Sequence, residues 1–230
     1  NVSSSALLSK YLTLRKYGGG DVNCLHAAVF LLAIRYYYLT NIVPGVNTRR
    51  RKPARTLIVL GSGGHTAEMM TIVKQLNKKN YSPRYYIMAS TDSTSESKVL
   101  NHEEPTTSKN DYELFRIKRS RHVGQSYLTS VFTTIRSVWQ CIPLVYHLQP
   151  DLILCNGPGT CVPICLIAFA MKIFCAINVQ CKIVFIESYC RVKTVSLSGK
   201  ILVWIADSFV VQWPQLVSFS PKAKYFGRLF

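Results

Sequence analysis

Residues 61–66 are the segment of this chain best suited to binding an anion. They read Gly-Ser-Gly-Gly-His-Thr, between the apolar run at 57–60 and a helix-compatible stretch. This order is typical of a strand, a glycine loop and a helix. Glycine lets the backbone approach a ligand, and the first turn of a helix offers unpaired N–H groups with a partial positive charge. The predicted ligand is a phosphate or a diphosphate.

The loop differs from the standard nucleotide-binding motifs. Thr66 stands where the dinucleotide fingerprint has its third glycine, and no Gly-Lys-Ser/Thr follows as in a P-loop. The alternative is a tight strand-to-helix turn without a ligand. In either case Ser62 or Thr66 is a candidate cap for the helix.

A second glycine loop follows a later apolar run. Residues 151–155 are predicted to form a buried strand, and Pro158 then stands between two glycines, which makes a loop rigid. This loop is either one wall of a binding site or only a turn. Its candidate ligand-binding residues are Asn156, Gly157, Gly159 and Thr160.

Charged residues follow two other predicted strands. Arg119 and Arg121 come after the third strand, and arginine forks suit phosphate oxygens, although a solvated basic face is the alternative. Glu187 follows the apolar run Lys182–Ile186. Its carboxylate can accept a sugar hydroxyl or serve as a base. Equally, it can pair with Arg191 or cap the next segment.

The elements that must position these residues alternate between strand-like and helix-like segments. Strands are predicted at 57–60, 84–89, 113–117, 151–155, 182–186 and 209–211, and helices at 68–77, 127–148, 161–177 and 196–206. Residues 90–110 are polar and are predicted to form a long mobile loop. The alternation is typical of an α/β fold, a parallel sheet with helices on both faces. Ligands bind such sheets at the carboxyl ends of the strands, where both glycine loops, the arginines and Glu187 are expected to meet.

Composition narrows the classes of partner and site. The 230 residues carry a formal net charge of +17, which favours an anionic partner such as membrane headgroups or phosphates. Nucleic acid is disfavoured because the sequence has no zinc-finger spacing, RNP-type aromatic pattern or basic recognition helix. The eight cysteines lie mostly in apolar runs without a Cys-x-x-Cys motif, and no Asp-x-Asp motif occurs. Buried, reduced thiols are therefore expected, with no metal site and no cofactor.

The N-terminal part is predicted to attach the protein to a membrane. The predicted divisions are a tail (1–21), an anchor helix (22–43), a basic linker (44–55) and a main domain (56–230). The anchor reaches the roughly 20 residues of a span only by including Asn23, His26 and Arg35. A single-pass span, an interfacial helix and a helix docked on the domain remain open. Basic residues are more frequent after the anchor than before it, which favours a cytoplasmic main domain.

Six long segments after residue 56 carry a family resemblance. They are LGSGGHTAEM (60–69), SRHVGQS (120–126), PDLILCNGPGTCVPIC (150–165), FIESYCRVKTVSLSGKIL (185–202), DSFVVQWP (207–214) and YFGRL (225–229). In this order they resemble the membrane-anchoring subunits of the eukaryotic UDP-N-acetylglucosaminyltransferase that adds the second GlcNAc to dolichol diphosphate. The chain departs from that family at His122, where a glutamate is expected, and in its unusually polar anchor.

The resemblance implies one half of a GT-B glycosyltransferase, in which two Rossmann-like halves face a cleft. One half holds the lipid diphosphate acceptor and the other holds the UDP-sugar. This chain resembles the acceptor half, and the roughly 175 residues after the linker suffice for one such domain only. A small cytosolic donor-binding subunit is the implied partner, docked partly through the C-terminal tail. The implied location is the endoplasmic reticulum membrane, with the main domain in the cytosol and little activity of the chain alone.

The resemblance also implies roles for the site residues. His65 becomes the candidate base that takes the proton from the acceptor hydroxyl, although it can instead hydrogen-bond to phosphate or to backbone. Glu187 is the alternative base. The implied diphosphate-binding residues are Gly61, Ser62, Gly63, Gly64, Thr66, Arg119, Arg121, Asn156, Gly157, Gly159 and Thr160. A purely structural membrane scaffold for the partner and a self-sufficient nucleotide-sugar enzyme are the alternative functions.

Overall fold

Seven strands form one sheet at the centre of the structure. A computed structural model describes residues 24–45, 50, 52–103, 111–117, 127–157 and 159–230. The strands are β1 (Thr56–Val59), β2 (Arg84–Ala89), β3 (Tyr112–Ile117), β4 (Leu152–Asn156), β5 (Lys182–Ile186), β6 (Ser208–Val211) and β7 (Ala223–Tyr225). The helices are α1 (24–37), α2 (Gly64–Gln75), α3 (Ser93–Glu103), α4 (Tyr127–Leu148), α5 (Cys161–Ile173) and α6 (Leu197–Leu202). Neighbouring strands are all parallel, in the order β3-β2-β1-β4-β5-β6-β7.

Apolar cores cover both faces of this sheet. Leu57 and Val59 lie in one core with α4, α5 and α6, whereas Ile58 and Leu60 lie in the other with α2 and α3. Successive side chains of a strand point to opposite faces, so a strand buried on both faces is a continuous apolar run. The predicted fold, a Rossmann-like parallel sheet with helices on both faces, is confirmed.

The chain changes direction across the sheet between β1 and β4. Strand β1 pairs with β2 on one side and with β4 on the other, where Val59 lies beside Cys155. The connections after β1 and β4 therefore leave the sheet on opposite sides. In open parallel sheets this switch point, at the carboxyl ends of the strands, is where ligands bind. The two glycine loops are those connections.

Helix α1 docks on the domain by its last turns. It continues into a π-helical turn (Tyr38–Ile42), in which Leu39 is buried. Arg35 Nη2 donates a 3.0 Å hydrogen bond to the carbonyl of Lys172 at the end of α5. Many apolar side chains of α1 are exposed, such as Phe30. Among the described residues, no helix combines the length and the apolar composition that crossing a bilayer requires.

Part of the basic linker is held by the sheet. Arg50 and Arg55 form ion pairs with Asp151, at 2.9 and 3.1 Å. Burial raises the pKa of Asp151, but the two arginines outweigh burial and hold this pKa below its usual range. These contacts fix the linker at the amino ends of the strands, opposite the glycine loops.

The sequence predicted a long loop over 90–110, and this prediction was wrong over residues 93–103, which form helix α3. Residues 104–110 lie outside the described residues. The backbone N–H of Ser95 donates to Asp92 Oδ1 at 3.1 Å, so Asp92 caps the helix. Val99 is buried in the second core and Glu103 is fully buried. The buried face of α3 is thus mostly polar, and a hydrophobic period cannot reveal such a helix.

Three smaller elements also differ from the predictions. Helix α5 ends at Ile173, before the predicted 177, and Cys175 then has a left-handed φ of +58°. Helix α6 is only six residues long, with the Ser196 hydroxyl accepting the N–H of Gly199 at 3.0 Å. Strand β7 was not predicted because it is a three-residue edge strand with one buried residue.

Candidate active site

The first glycine loop ends in an open helix N-terminus. Gly63, with a φ of +64°, precedes the first residue of α2 and makes no side-chain cap, so neither Ser62 nor Thr66 is the N-cap. The N–H groups of Gly64, His65 and Thr66 form the first turn, where a helix has no partners for them. Ser62, Gly63 and Gly64 are exposed. This end of α2 therefore offers several donors and a positive dipole to an anion.

Thr66 braces the loop from beneath. Its side chain is buried, and its hydroxyl hydrogen-bonds with the carbonyl of Gly61. The same hydroxyl lies 2.6 Å from the Ser95 hydroxyl of α3, which donates to Asp92 Oδ2 at 2.6 Å. Thr66 can thus offer a ligand its backbone N–H, while its hydroxyl fixes the shape of the loop.

Gly157 brings the second glycine loop against His65. Its φ is +54°, and a Cβ placed on it would lie 2.5 Å from Cε1 of His65. Both the backbone conformation and the neighbouring imidazole therefore require glycine. The structure thus places two independently predicted site residues in contact.

The His65 imidazole has one buried and one accessible side. Its Nδ1 is buried and has no hydrogen-bond partner within the part of the chain that the structure describes, and Glu68 Oε2 lies 3.5 Å from this nitrogen. The side chain is 36 % exposed, and this exposure belongs to its other atoms. The ring is therefore oriented with Nδ1 toward the protein.

Glu68 joins the start of α2, the end of β4 and the loop after β5, and the sequence analysis missed it. Its Oε1 accepts from the Ser188 hydroxyl at 2.8 Å and from the Tyr189 N–H at 3.1 Å. Its Oε2 accepts from Asn156 Nδ2 at 2.8 Å. Burial raises the pKa of Glu68, but the interactions with His65 and Ser188 outweigh burial and lower this pKa. The available sequence signal was the i,i+3 spacing from His65 on a helix.

Asn156 and Thr160 carry buried oxygens that have no hydrogen-bond partner among the described residues. These atoms are Asn156 Oδ1 and Thr160 Oγ1. A carboxylate only accepts, so the amide NH2 of Asn156 must face Glu68 and the amide oxygen must point elsewhere. Buried polar atoms normally have partners. The Asn156 oxygen suits a donor, such as a hydroxyl or an N–H, better than a phosphate oxygen.

Glu187 is fully buried beside this cluster. Its Oε2 accepts from the backbone N–H of Ser196 at 2.9 Å and from the Ser196 hydroxyl at 3.0 Å. Its Oε1 accepts from the N–H of Ser188 at 3.1 Å. Burial raises the pKa of Glu187, and the hydrogen bonds oppose burial only partly. This geometry is that of the capping alternative, in which the carboxylate ties the start of α6 to the end of β5.

The remaining predicted site residues are divided. Gly159 lies exposed on the second loop. Arg119 and Arg121 lie outside the described residues, as do His122 and Pro158. Within the described ranges, no group of three His, Cys, Asp or Glu side chains could hold a metal ion. None of the eight cysteines, all of which the structure describes, forms a disulfide, and five of them are buried.

A family model and several named proteins match this chain over most of its length. The model of the family described as "Oligosaccharide biosynthesis protein Alg14 like" matches residues 56–229. A Mus musculus protein named UDP-N-acetylglucosamine transferase subunit ALG14 is 46 % identical, over 88 % of this chain and 95 % of its own length. The proteins of the same name from Homo sapiens and Schizosaccharomyces pombe are 43 % and 42 % identical, over 88 % and 79 % of this chain and 93 % and 87 % of their own lengths.

One solved structure shows a similar fold. The crystal structure of Acinetobacter baumannii MurG matches with a TM-score of 0.53 and 12 % identity. The match covers 76 % of this chain and 45 % of the MurG chain. This chain therefore spans less than half the length of that structure.

Proposed function

The chain belongs to the Alg14 family of oligosaccharide biosynthesis proteins, and from this premise we propose that it is the acceptor-binding subunit of a UDP-N-acetylglucosamine transferase. The proposed acceptor is GlcNAc-diphosphate-dolichol, and the product carries a second GlcNAc. The observation that carries the proposal is the open N-terminus of α2 beside His65, at the switch point of the sheet. An anion site next to an imidazole suits a diphosphate-bearing acceptor whose hydroxyl must lose a proton.

In the proposed reaction, the acceptor diphosphate lies against the first loop. The N–H groups of Gly64, His65 and Thr66 and the helix dipole offset its charge. His65 takes the proton of the acceptor hydroxyl while that oxygen bonds to the anomeric carbon of UDP-GlcNAc. The bond from that carbon to UDP breaks, UDP leaves with the electron pair, and the configuration inverts. His65 bound to phosphate is the competing role.

The other predicted residues are proposed to contact the acceptor around this centre. Arg119 and Arg121 are proposed to contact the diphosphate, and Asn156 and the second loop to contact the acceptor sugar. The Asn156 oxygen supports this division, because it needs a donor that phosphate lacks. For Glu187 we favour the positioning of α6 over proton transfer, because both of its oxygens already accept hydrogen bonds.

The UDP-sugar is proposed to bind a second, small cytosolic subunit. Two observations support this division: the relatives are named as transferase subunits, and the chain matches 45 % of the MurG chain. The chain alone is therefore expected to be inactive. A self-sufficient enzyme would instead transfer GlcNAc without any partner.

Attachment to the endoplasmic reticulum membrane, with the domain in the cytosol, is proposed to run through α1. Leu25, Val29, Phe30 and Leu31 are 65 %, 57 %, 66 % and 65 % exposed. Exposed apolar side chains on one helix suit the boundary between headgroups and acyl chains. The net charge of +17 adds attraction to anionic lipid.

Replacing His65 tests the proposed chemistry. The chain is co-expressed with its donor-binding subunit, and transfer from UDP-GlcNAc to a synthetic GlcNAc-diphosphate-lipid is measured. His65→Ala should lower kcat by about 10²–10⁴-fold, the usual contribution of a general base, and leave partner binding intact. His147→Ala, at an exposed position of α4, is the matched control and should be unaffected. Normal turnover of His65→Ala would rule out His65 as the base, and normal turnover after the replacement of Glu187 as well would favour the scaffold function.

A further inference from the structure

We infer that Glu68 is a positioning residue that fixes the His65 ring with its proton on Nδ1 and its lone pair on Nε2. The inference rests on the proposed function, because it specifies how His65 becomes a base. Glu68 touches no reacting atom in this scheme. It acts through His65 and Asn156.

The two carboxylate oxygens divide their contacts between different parts of the site. Oε1 faces the loop after β5, through Ser188 and Tyr189. Oε2 faces Asn156 at 2.8 Å and His65 Nδ1 at 3.5 Å. A single side chain on α2 therefore connects the base candidate with the last residue of β4 and with the loop after β5.

The Glu68 carboxylate requires that His65 and Asn156 direct hydrogen-bond donors toward it. Glu68 is 12 % exposed, and its pKa is lowered, so at neutral pH it is an ion with four acceptor positions and no donor. His65 can therefore direct only a protonated Nδ1 toward it. In a neutral imidazole the other nitrogen then carries the lone pair. Nε2 is thus prepared to accept a proton from a substrate hydroxyl.

Glu68→Gln should move the His65 proton from Nδ1 to Nε2 without changing the size of the side chain. The Tyr189 N–H is an obligate donor, so the glutamine oxygen takes the Oε1 position and its NH2 group faces His65 and Asn156. The Asn156 amide must then turn so that its oxygen accepts from this NH2 group. His65 Nδ1 must then accept, and the imidazole proton moves to Nε2. The variant should therefore contain the wrong tautomer in an intact fold.

Nitrogen NMR of the full chain reads the tautomer directly. In wild type, the ¹⁵N shifts of His65 should show a protonated Nδ1, and in Glu68→Gln a protonated Nε2. Glu113→Gln, the same change on the exposed edge strand β3, should leave the spectrum of His65 unchanged. A wild-type spectrum with the proton on Nε2 overturns the inference, whether or not any variant folds.

Kinetics of the complex supply the second readout. Glu68→Gln should lower kcat by about 10²-fold, within the range of general-base catalysis, and change KM for UDP-GlcNAc by less than about twofold. Ser188→Ala removes the hydroxyl contact with Oε1 and the acceptor of the Cys190 N–H at 3.4 Å, and it leaves the contacts of Oε2 in place. It should therefore keep the wild-type tautomer and most of kcat. Equal losses of kcat in both variants with an unchanged tautomer would mean that Glu68 only stabilises the loop after β5, and this result would overturn the inference.

These results separate the inference from the proposed function. A wild-type complex that fails to transfer GlcNAc to the lipid acceptor contradicts the function, while the NMR experiment still tests the tautomer. An active complex in which Glu68→Gln turns over normally contradicts the inference alone.

Discussion

Gly157 brings the second glycine loop into contact with the His65 ring, which follows the first glycine loop. Its left-handed φ of +54° already disfavours any side chain, and the His65 ring occupies the space that a Cβ would need. Glycine at this position therefore serves the fold and the site together. The sequence places this glycine in the correct loop, but the contact depends on the pairing of β1 with β4.

Gly157→Ala should displace His65 as well as strain the backbone. A left-handed alanine costs on the order of 1–3 kcal/mol, and the Cβ would lie 2.5 Å from Cε1 of His65. We expect a lower melting temperature of the chain and shifted imidazole signals of His65.

Gly227→Ala is the matched control for that substitution. Gly227 has a φ of +88°, and apart from its chain neighbours no heavy atom of the described residues lies within 4 Å of the point where a Cβ would stand. Alanine there also strains the backbone but meets no such collision. It should destabilise the chain and leave the His65 signals in place. Unchanged His65 signals in Gly157→Ala would show that the ring does not depend on this glycine.

Sequence reasoning located residues of the site but not their connections. Asn156 and Gly157 stand directly after one predicted strand, and His65 stands in the glycine loop after another. The rule that ligands bind at carboxyl ends therefore selects all three. Glu68 lies inside a helix, and its partners Asn156 and Ser188 are 88 and 120 residues away. No local pattern contains that information. For Glu187, the decision between a catalytic and a capping role likewise depends on a contact that the sequence does not contain, the hydrogen bonds from Ser196 to its carboxylate.

At the scale of elements, α3 shows why a polar segment was taken for a loop. Its inward face carries Ser95, Val99 and Glu103, so only one of the three is apolar. The helix is held by ionic contacts instead. Glu103 accepts from Arg84 at 2.7 and 2.9 Å and from the Tyr86 hydroxyl at 2.6 Å, all within the interior.

Glu103→Gln should destabilise the chain in a pH-dependent way. Burial raises the pKa of Glu103, but Arg84, Tyr86 and Lys78 outweigh burial and lower this pKa from 4.5 to about 2. The carboxylate thus stabilises the fold above pH 4.5, and this stabilisation is lost as the pH falls toward 2. At pH 7 the variant should lose about 3 kcal/mol of unfolding free energy.

Urea unfolding at pH 7 and pH 3 measures this difference. The difference in unfolding free energy between wild type and Glu103→Gln should be smaller at pH 3 than at pH 7. Glu96→Gln, on the same helix but paired with the exposed Arg116, should cost less than about 1 kcal/mol at either pH. A difference of equal size at both pH values would mean that Glu103 acts through its hydrogen-bond acceptor positions and not through its charge.

For the whole molecule, the sequence predicts the layers better than their arrangement. Apolar runs separated by helices predict a parallel sheet covered on both faces, because each such strand buries both sides. The order of the strands is not contained in these runs. It depends on contacts such as Thr56 with Leu152, which join segments nearly a hundred positions apart. The switch point, and with it the meeting of the two loops, follows from that order.

The apolar surface of α1 has a measurable consequence for membrane attachment. Phe30 and Leu31 are 66 % and 65 % exposed, whereas Leu39 at the end of the segment is buried in the domain. The C-terminal end of the helix is thus fixed to the domain, and the exposed surface of the rest of the helix carries apolar side chains. Burying a Phe or Leu side chain stabilises by about 1.5–3 kcal/mol, so replacing both should weaken vesicle binding at least about tenfold.

Flotation of the full chain with phosphatidylcholine vesicles, with and without phosphatidylserine, measures this binding. Phe30→Ser combined with Leu31→Ser should reduce the bound fraction in both vesicle types, because the lost contribution is apolar. Phe226→Ser, 67 % exposed in the C-terminal segment, is the control for a general loss of surface hydrophobicity. Phosphatidylserine should strengthen binding of every variant, and salt should cancel that gain, because the net charge of +17 acts through screened attraction. If the double variant floats like wild type while Phe226→Ser does not, the attachment surface lies near the C-terminus and not on α1.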